Sequence, residues 1–139
     1  MRFRGPSLNR KQARLNRAMT IWDLREIAKK RTPQGPFDYT DGGADTESSL
    51  TRARYAYESV EFSPRVLRDV SAVDISVEML GEVHSMPVGI APTGFTRMMQ
   101  TEGEIAGARA AAKYGIPFTL STLGTTTIED VVAAAPDGR

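Results

Sequence analysis

The chain has 139 residues, of which 40% are hydrophobic and 25% are charged, and its formal net charge is +1. This composition is typical of a globular chain of one domain rather than a disordered one. The absence of cysteine excludes disulfides and thiolate metal sites and is compatible with a reducing compartment. No apolar run approaches the roughly 20 residues of a membrane span, and the N-terminus lacks the apolar core of a secretory signal. We therefore expect a cytoplasmic protein.

The charge is unevenly distributed. Residues 1–31 contain ten Arg or Lys and two acidic residues, a net charge of +8, which leaves −7 for residues 32–139. We predict a basic arm over residues 1–19, with at most patchy helix. Such an arm is either simply solvated or attached to anionic lipid at the inner face of the cell membrane. Aromatic residues that could stack on bases are scarce in it, so nucleic acid is not an expected partner.

An amphipathic helix is predicted over residues 21–30. Thr20 and Asp23 have the spacing of a capping box, apolar residues recur at helical intervals, and Pro33 ends the pattern.

A second helix is predicted over residues 47–58. The paired glycines Gly42 and Gly43 break regular structure before it, and Asp45 or Thr46 is the predicted N-cap. Three residues mark its predicted buried face: Leu50, Ala53 and Tyr57.

An extended segment and a hairpin follow. Residues 61–67 are predicted to be extended, and residues 75–80 alternate with period two. Gly81 then provides a turn, and Val83 begins the return strand. His84, the only histidine, is predicted to be a surface residue of this hairpin rather than a catalytic group.

From residue 87 onward, predicted strands alternate with predicted helices. The strands lie at residues 88–91 and 118–122. The helices follow at 105–114, after a capping box at 101–104, and at 131–135, after a cap at 127–130. Such alternation indicates βαβ units and a parallel sheet. Two units are a quarter of an eight-unit barrel, which takes about 250 residues.

Common catalytic motifs are missing from the sequence. There is no GxGxxG, no phosphate-binding loop, no zinc spacing and no GxSxG, and Gly103 and Gly107 are better explained by close helix packing. Chemistry in parallel α/β folds gathers after the strands, here in residues 92–96 and 121–127. Their hydroxyls and small residues could line a flat ligand with polar edges, or could simply make good turns.

Four ordered segments, covering the chain from about residue 20 to its end, match a known family. They are Phe37–Ala44 (FDYTDGGA), Phe62–Val70 (FSPRVLRDV), Ser85–Gly94 with Thr101–Glu104, and Gly115–Thr122 with Ile128–Val131. The chain resembles the FMN-dependent α-hydroxy-acid dehydrogenases. The strings Asp41–Ala44 and Gly115–Phe118 are most similar to the L-lactate dehydrogenases linked to quinones or cytochromes.

This resemblance implies an α/β fold, with residues 20–139 as the N-terminal portion of a TIM (β/α)8 barrel preceded by helices and a β-hairpin. It implies FMN as the cofactor and oxidation of an L-2-hydroxy acid, L-lactate above all, to the 2-oxo acid. The hydrogen at C2 of the substrate would pass to flavin N5. The implied electron acceptor is a quinone, a cytochrome or O2, and the implied full-length enzyme is a homo-oligomer.

The resemblance also implies site residues. Tyr39 matches the tyrosine whose hydroxyl hydrogen-bonds the substrate carboxylate. Pro92, Thr93 and Gly94 match the loop whose backbone lies against the flavin ring near N5. Ser121 matches a hydroxyl that hydrogen-bonds the ring.

Two positions bear on the subtype. Gly94 sits more easily with the dehydrogenase branch than with the oxidases, and Leu123 departs from the tryptophan of glycolate oxidases. The family's histidine base, lysine and arginines lie further along a full-length chain. We therefore assign no catalytic residue and expect these 139 residues alone to be inactive.

Three alternatives stay open on the sequence. One is another FMN barrel, such as a type 2 isopentenyl-diphosphate isomerase, for which Arg97 is the nearby candidate to bind phosphate. Another is a non-catalytic remnant that interacts through the basic arm. The third is an incomplete gene of an ordinary enzyme.

Overall fold

A computed structural model describes residues 9–138 of the chain. The chain forms two compact units, of which the first ends at Ser59 and the second begins at Val60. Part of the predicted basic arm, residues 1–8, lies outside the described range. The rest of the arm contains helix α1 (Arg10–Arg17), which is more regular than the patchy helix that the sequence predicts.

Helix α2 (Ile21–Lys29) confirms the first predicted helix. Its capping box is complete: Thr20 Oγ1 accepts the N–H of Asp23 at 3.2 Å, and the Asp23 carboxylate accepts the N–H of Thr20 at 2.9 Å. Hydrogen bonds from the N–H groups of Met19 and Thr20 lower the pKa of Asp23. These bonds satisfy helix-end donors that would otherwise need water.

Helix α3 (Gln34–Asp41) was not predicted, because Gly35 and Pro36 lower its helical propensity. Pro36 is tolerated in the first turn, where its missing N–H would have no intrahelical partner. Phe37 is the buried residue of this helix. Arg25 of α2 joins this helix to α3 through two hydrogen bonds to the Asp41 carboxylate, at 2.5 and 2.7 Å. Hydrogen bonding from Arg25 lowers the pKa of Asp41.

Helix α4 (Ser48–Glu58) lies where the second helix is predicted, but its cap and buried face differ from the prediction. Its N-cap is Glu47, in the left-handed region, and no side chain caps the helix. The Glu47 carboxylate accepts the N–H of Gly43 instead, at 3.0 Å. No residue of α4 is buried and Tyr57 is 84% exposed, so the predicted apolar face is not covered within the described structure.

The second unit starts with residues 60–76, which are exposed and without regular structure. Strands β1 (Val77–Met79) and β2 (Glu82–His84) then form the predicted hairpin, antiparallel. Leu80 and Gly81 both have positive φ, as a type I′ turn requires.

His84 is the correction in this hairpin. It is 3% exposed rather than on the surface, and its Nε2 lies 3.2 Å from the carbonyl oxygen of Met79. The bond back across the turn holds the ring inward, which the alternating pattern of the sequence does not specify.

Three further helices are α5 (Thr96–Met99), α6 (Gly103–Tyr114) and α7 (Ile128–Ala134). Helices α6 and α7 confirm the predicted pair, whereas the short α5 was not predicted. The buried apolar residues of this unit are Ala108, Ala111, Ile116 and Val131. A methyl group at Gly107 would lie 2.8 Å from the Phe118 ring, which confirms close packing as the reason for that glycine.

The two predicted parallel strands are reduced to one parallel bridge, between Ile90 and Phe118. Ile90 donates to the carbonyl of Pro117 at 2.9 Å, and Thr119 donates back to Ile90 at 3.0 Å. Proline at 117 has no N–H to donate, so the ladder is short of donors there. Within residues 9–138, no helix is long and apolar enough to cross a membrane.

Candidate functional site

The parallel bridge brings the ends of two strands side by side. The loop after the first strand, residues 92–95, meets the loop after the second, residues 121–124. The N–H of Phe95 donates to the carbonyl of Leu123 at 3.2 Å. The two loops that the sequence predicts to carry chemistry are therefore joined directly, as expected at the carboxyl ends of adjacent parallel strands.

Gly94 is the point of closest approach between these loops. A methyl group at Gly94 would sit 2.7 Å from Cβ of Leu123 and 3.5 Å from Oγ of Ser121. Real Cβ atoms do not approach another carbon as closely as 2.7 Å, so glycine is needed for the loops to touch. This packing explains Gly94 without reference to any cofactor, and it weakens the use of Gly94 as a mark of enzyme subtype.

The joined loops leave hydrogen-bond donors free at their surface. Within residues 9–138, the N–H groups of Thr93 and Gly94 donate no hydrogen bond. Ser121 Oγ accepts the N–H of Leu123 at 3.1 Å, and no acceptor for its own proton is found in the described chain. Pro92 and Thr93 are exposed. Free donors beside an exposed backbone suit a flat ligand with carbonyl and ring-nitrogen acceptors, and a flavin ring is such a ligand.

Tyr39, the predicted substrate contact, belongs to the other unit. It lies in α3 and is 70% exposed, so its hydroxyl is available to a ligand. The structure thus brings the loop that contains Pro92, Thr93 and Gly94 against the loop that contains Ser121. The role of Tyr39 stays a prediction.

Glu104, a residue near these loops, has a different role from the one that the sequence predicts. It is predicted to complete a capping box with Thr101, but the N-cap of α6 is Glu102, and no side chain caps the helix. Glu104 is instead 2% exposed and reaches the 121–127 loop. Its carboxylate accepts the N–H of Thr125 at 3.0 Å and the hydroxyl of Thr126 at 2.8 Å.

The environment of Glu104 keeps the carboxylate ionised. Burial alone raises its pKa, but hydrogen bonds from the backbone of Thr125, from its own backbone and from the hydroxyls of Thr126 and Thr96 outweigh burial and lower the pKa to about 2. The position in the first turn of α6 also favours a negative charge. A sequence signal was present, since Glu104, Ala108 and Ala111 fall on one face of the helix and the other two are buried alanines.

A separate apolar groove of about 320 Å³ lies between α6 and α7. Its lining includes Phe118, Leu120 and Val131, and none of the predicted flavin or substrate residues. We therefore place the candidate site at the joined loops, where the polar groups converge, and not in this groove.

Comparison with known proteins gives a consistent picture. A family model described as FMN-dependent dehydrogenase matches residues 28–139. The chain is 56% identical over 139 residues to a putative L-lactate dehydrogenase of Mycobacterium tuberculosis, covering 100% of this chain and 34% of the relative. It is 46% identical over 112 residues to an L-lactate dehydrogenase of Ectopseudomonas mendocina, covering 81% and 30%. The chain thus spans about a third of the length of these relatives.

Solved structures also match this chain. A crystal structure of mandelate oxidase matches with a TM-score of 0.81 and 36% identity, over 88% of this chain and 36% of that one. A glycine-to-alanine mutant of an active chimera of (S)-mandelate dehydrogenase matches with a TM-score of 0.79 and 40% identity, over 85% of this chain and 33% of that one. The solved neighbours are TIM-barrel flavoenzymes, of which this chain covers the N-terminal part.

Proposed function

Because the chain belongs to the FMN-dependent dehydrogenase family, we propose that it supplies the first flavin-facing loops of an enzyme that oxidises an L-2-hydroxy acid, with L-lactate as the substrate. The contact between residues 92–95 and 121–124, with its free donors, carries this proposal. We further propose that residues 20–139 are the N-terminal part of a (β/α)8-barrel domain, with helices and a hairpin before the first two βα units, and that residues 1–19 are a basic arm before it.

The residues have separate tasks in this proposal. FMN, when bound, would accept the hydride equivalent removed from C2 of the hydroxy acid, and the proton of the substrate hydroxyl would pass to a base that these 139 residues do not supply. The backbone of Pro92, Thr93 and Gly94 lies against the ring, and Ser121 donates its free proton to a ring acceptor. Tyr39 donates its hydroxyl proton to the substrate carboxylate and so orients C2.

A crossed pair of variants tests these tasks in the complete gene product. Tyr39→Phe removes a hydrogen bond to a charged group, and kcat/KM for L-lactate should fall about 10- to 100-fold with FMN content unchanged. Ser121→Ala should weaken FMN binding about 2- to 10-fold and change KM little. FMN affinity is measured by fluorescence quenching, and turnover is measured with quinone, cytochrome c and O2 as acceptors. Equal effects of both variants on both quantities contradict the assignment, and absence of L-lactate turnover with every acceptor contradicts the function.

A second property, contact with anionic lipid, is supported by the surface of the first unit. Met19, Ile21 and Trp22 are exposed by 87%, 77% and 54%. Arg14 and Arg17 of the preceding helix α1 are exposed as well. An exposed apolar cluster beside basic side chains suits the interface of an anionic bilayer. We propose that this surface attaches the protein to the inner face of the membrane.

Vesicle binding tests this property. Binding to phosphatidylserine-containing vesicles should weaken about fivefold for each of Arg14→Gln and Arg17→Gln, because each basic residue near the surface contributes about 1 kcal/mol. Arg52→Gln, an exposed charge on α4, is the matched control and should change binding little. Equal binding to neutral phosphatidylcholine vesicles, or equal loss in all three variants, overturns the proposal.

A further inference from the structure

Glu104 is a buried charge that has no ion pair within the described structure. It is the largest side chain there that is fully buried, and the described ion pairs involve other acids: Glu26, Asp41 and Glu102. Burying an unpaired charge is unfavourable unless several hydrogen bonds compensate for it. The backbone N–H of Glu104 itself and the hydroxyl of Thr96 contribute to this compensation, but most of the bonds come from one short segment, Thr125–Thr126.

That segment is the far end of the loop that carries Ser121. The near end is fixed by two hydrogen bonds. The N–H of Leu123 donates to Ser121 Oγ at 3.1 Å, and the N–H of Gly124 donates to the Ser121 carbonyl at 2.9 Å. Leu123 in turn meets Gly94 and accepts the N–H of Phe95. A shift of Thr125 is therefore passed through a tight turn to the surface where the free donors lie.

The carboxylate suits this task better than a neutral group. Both of its oxygens accept, and the donors from the loop are Thr125 N–H at 3.0 Å, Thr125 Oγ1 at 3.4 Å and Thr126 Oγ1 at 2.8 Å. The Thr96 hydroxyl and the backbone N–H of Glu104 also face the carboxylate and are likewise donors. An amide offers one acceptor oxygen and turns a donor NH2 toward the other partner. Hydrogen bonds to an ionised group are also about twice as strong as neutral ones.

We propose that Glu104 is a positioning residue for flavin binding: its buried carboxylate anchors the 121–127 loop and thereby sets the place of Ser121 and Leu123 against the 92–95 loop. Glu104 does not touch the ring in this proposal and acts through Thr125 and Thr126. The inference rests on the proposed function for its flavin half and on the described contacts for its anchoring half.

The test uses the complete gene product and three variants. Glu104→Gln removes the charge and keeps the shape, and Thr126→Val removes one donor with little change in volume. Glu102→Gln is the matched control, because Glu102 is an exposed acid two residues earlier whose ion pair with Arg109 is also exposed. FMN affinity is measured by fluorescence quenching, and loop order is measured without flavin by amide hydrogen exchange.

Glu104→Gln should weaken FMN binding about tenfold or more, and Thr126→Val about 2- to 10-fold. In both variants, amide exchange should rise in residues 121–127 and not in the middle of α6, and Glu102→Gln should match the wild type. Thr126→Val keeps the test decisive if Glu104→Gln does not fold.

Each of the remaining outcomes contradicts one part of the inference. Unchanged exchange of the loop in Thr126→Val overturns the anchor. Increased exchange with unchanged FMN affinity overturns the positioning role. If the wild type binds no FMN, the proposed function and the flavin half of this inference both fail, and the exchange data still decide the anchor.

Discussion

At the scale of single residues, the ionisation of Glu104 makes the free energy of unfolding depend on pH. The pKa of this carboxyl is about 2 in the folded chain, against an ordinary value of 4.5. A lowered pKa means that the folded state favours the ionised form, so its contribution to stability is complete above the ordinary value. It is lost as the pH falls from about 4.5 to about 2.

We predict that the difference in stability between Glu104→Gln and the wild type depends on pH. The free energy of unfolding should be lower in Glu104→Gln than in the wild type near neutral pH, and the gap should shrink between pH 4.5 and 2. Urea unfolding followed by circular dichroism at a series of pH values measures it. A gap that stays constant through this range contradicts the assigned pKa.

Gly94 gives a second prediction at this scale. Gly94→Ala places a methyl group 2.7 Å from Cβ of Leu123, an atom close to the backbone that cannot swing away. The loops must separate, and we expect a loss of about 1–3 kcal/mol of unfolding free energy, with faster amide exchange at Phe95.

The control for this change is Gly35→Ala in α3, where a methyl meets nothing within 4 Å. It should stabilise by about 0.4–1 kcal/mol, because alanine has less freedom in the unfolded chain. Equal effects at the two glycines, in thermal or urea unfolding, argue against close contact between the loops.

At the scale of secondary structure elements, helix α2 depends on its cap. Thr20 and Asp23 satisfy each other's backbone N–H groups, and Thr20→Ala leaves the N–H of Asp23 without its partner. We expect a loss of about 1 kcal/mol of stability, visible as reduced helicity and an earlier urea midpoint. Thr20→Ser keeps the hydroxyl and should restore most of it, whereas a serine variant as unstable as the alanine variant contradicts the capping role.

Helices α6 and α7 have different relations to the candidate site. Helix α7 begins in the ordinary way, with Thr127 Oγ1 accepting the N–H of Asp130 at 3.1 Å. Helix α6 lacks a side-chain cap, and its first-turn carboxylate is directed to the neighbouring loop. An acid that local rules assign to helix capping is thus used for a contact 21 residues away.

At the scale of the whole molecule, the chain exposes much apolar surface. Phe62, Leu67 and Leu80 are almost fully exposed, and the groove between α6 and α7 is apolar. The relatives of this chain are about three times as long. In the proposed barrel, further strands and helices would cover such surfaces.

We therefore predict that the 139-residue chain alone binds FMN at least about 100-fold more weakly than a chimera in which it replaces the matching part of the Mycobacterium tuberculosis relative. The reason is that a binding pocket encloses most of its ligand, and two loops provide only part of that enclosure. Fluorescence quenching compares the two proteins. Similar affinities, or turnover of L-lactate by the chain alone, contradict the prediction.

Local sequence patterns were sufficient to predict those structural features that depend on one short segment. The capping box at Thr20, the hairpin around Gly81 and the cap at Thr127 each depend on neighbours within a few residues. Ordered motifs also identified the family, which the match over residues 28–139 confirms.

Tertiary structure alone decided the features that join distant segments. The close approach of Gly94 to Leu123 and the turn of Glu104 toward Thr125 depend on contacts between elements. Helical and strand periodicity says which face a residue occupies and not what lies opposite it. The sequence by itself thus determined the family and the predicted flavin-facing loops, whereas only the packing of one loop on another decided which residues hold those loops in place.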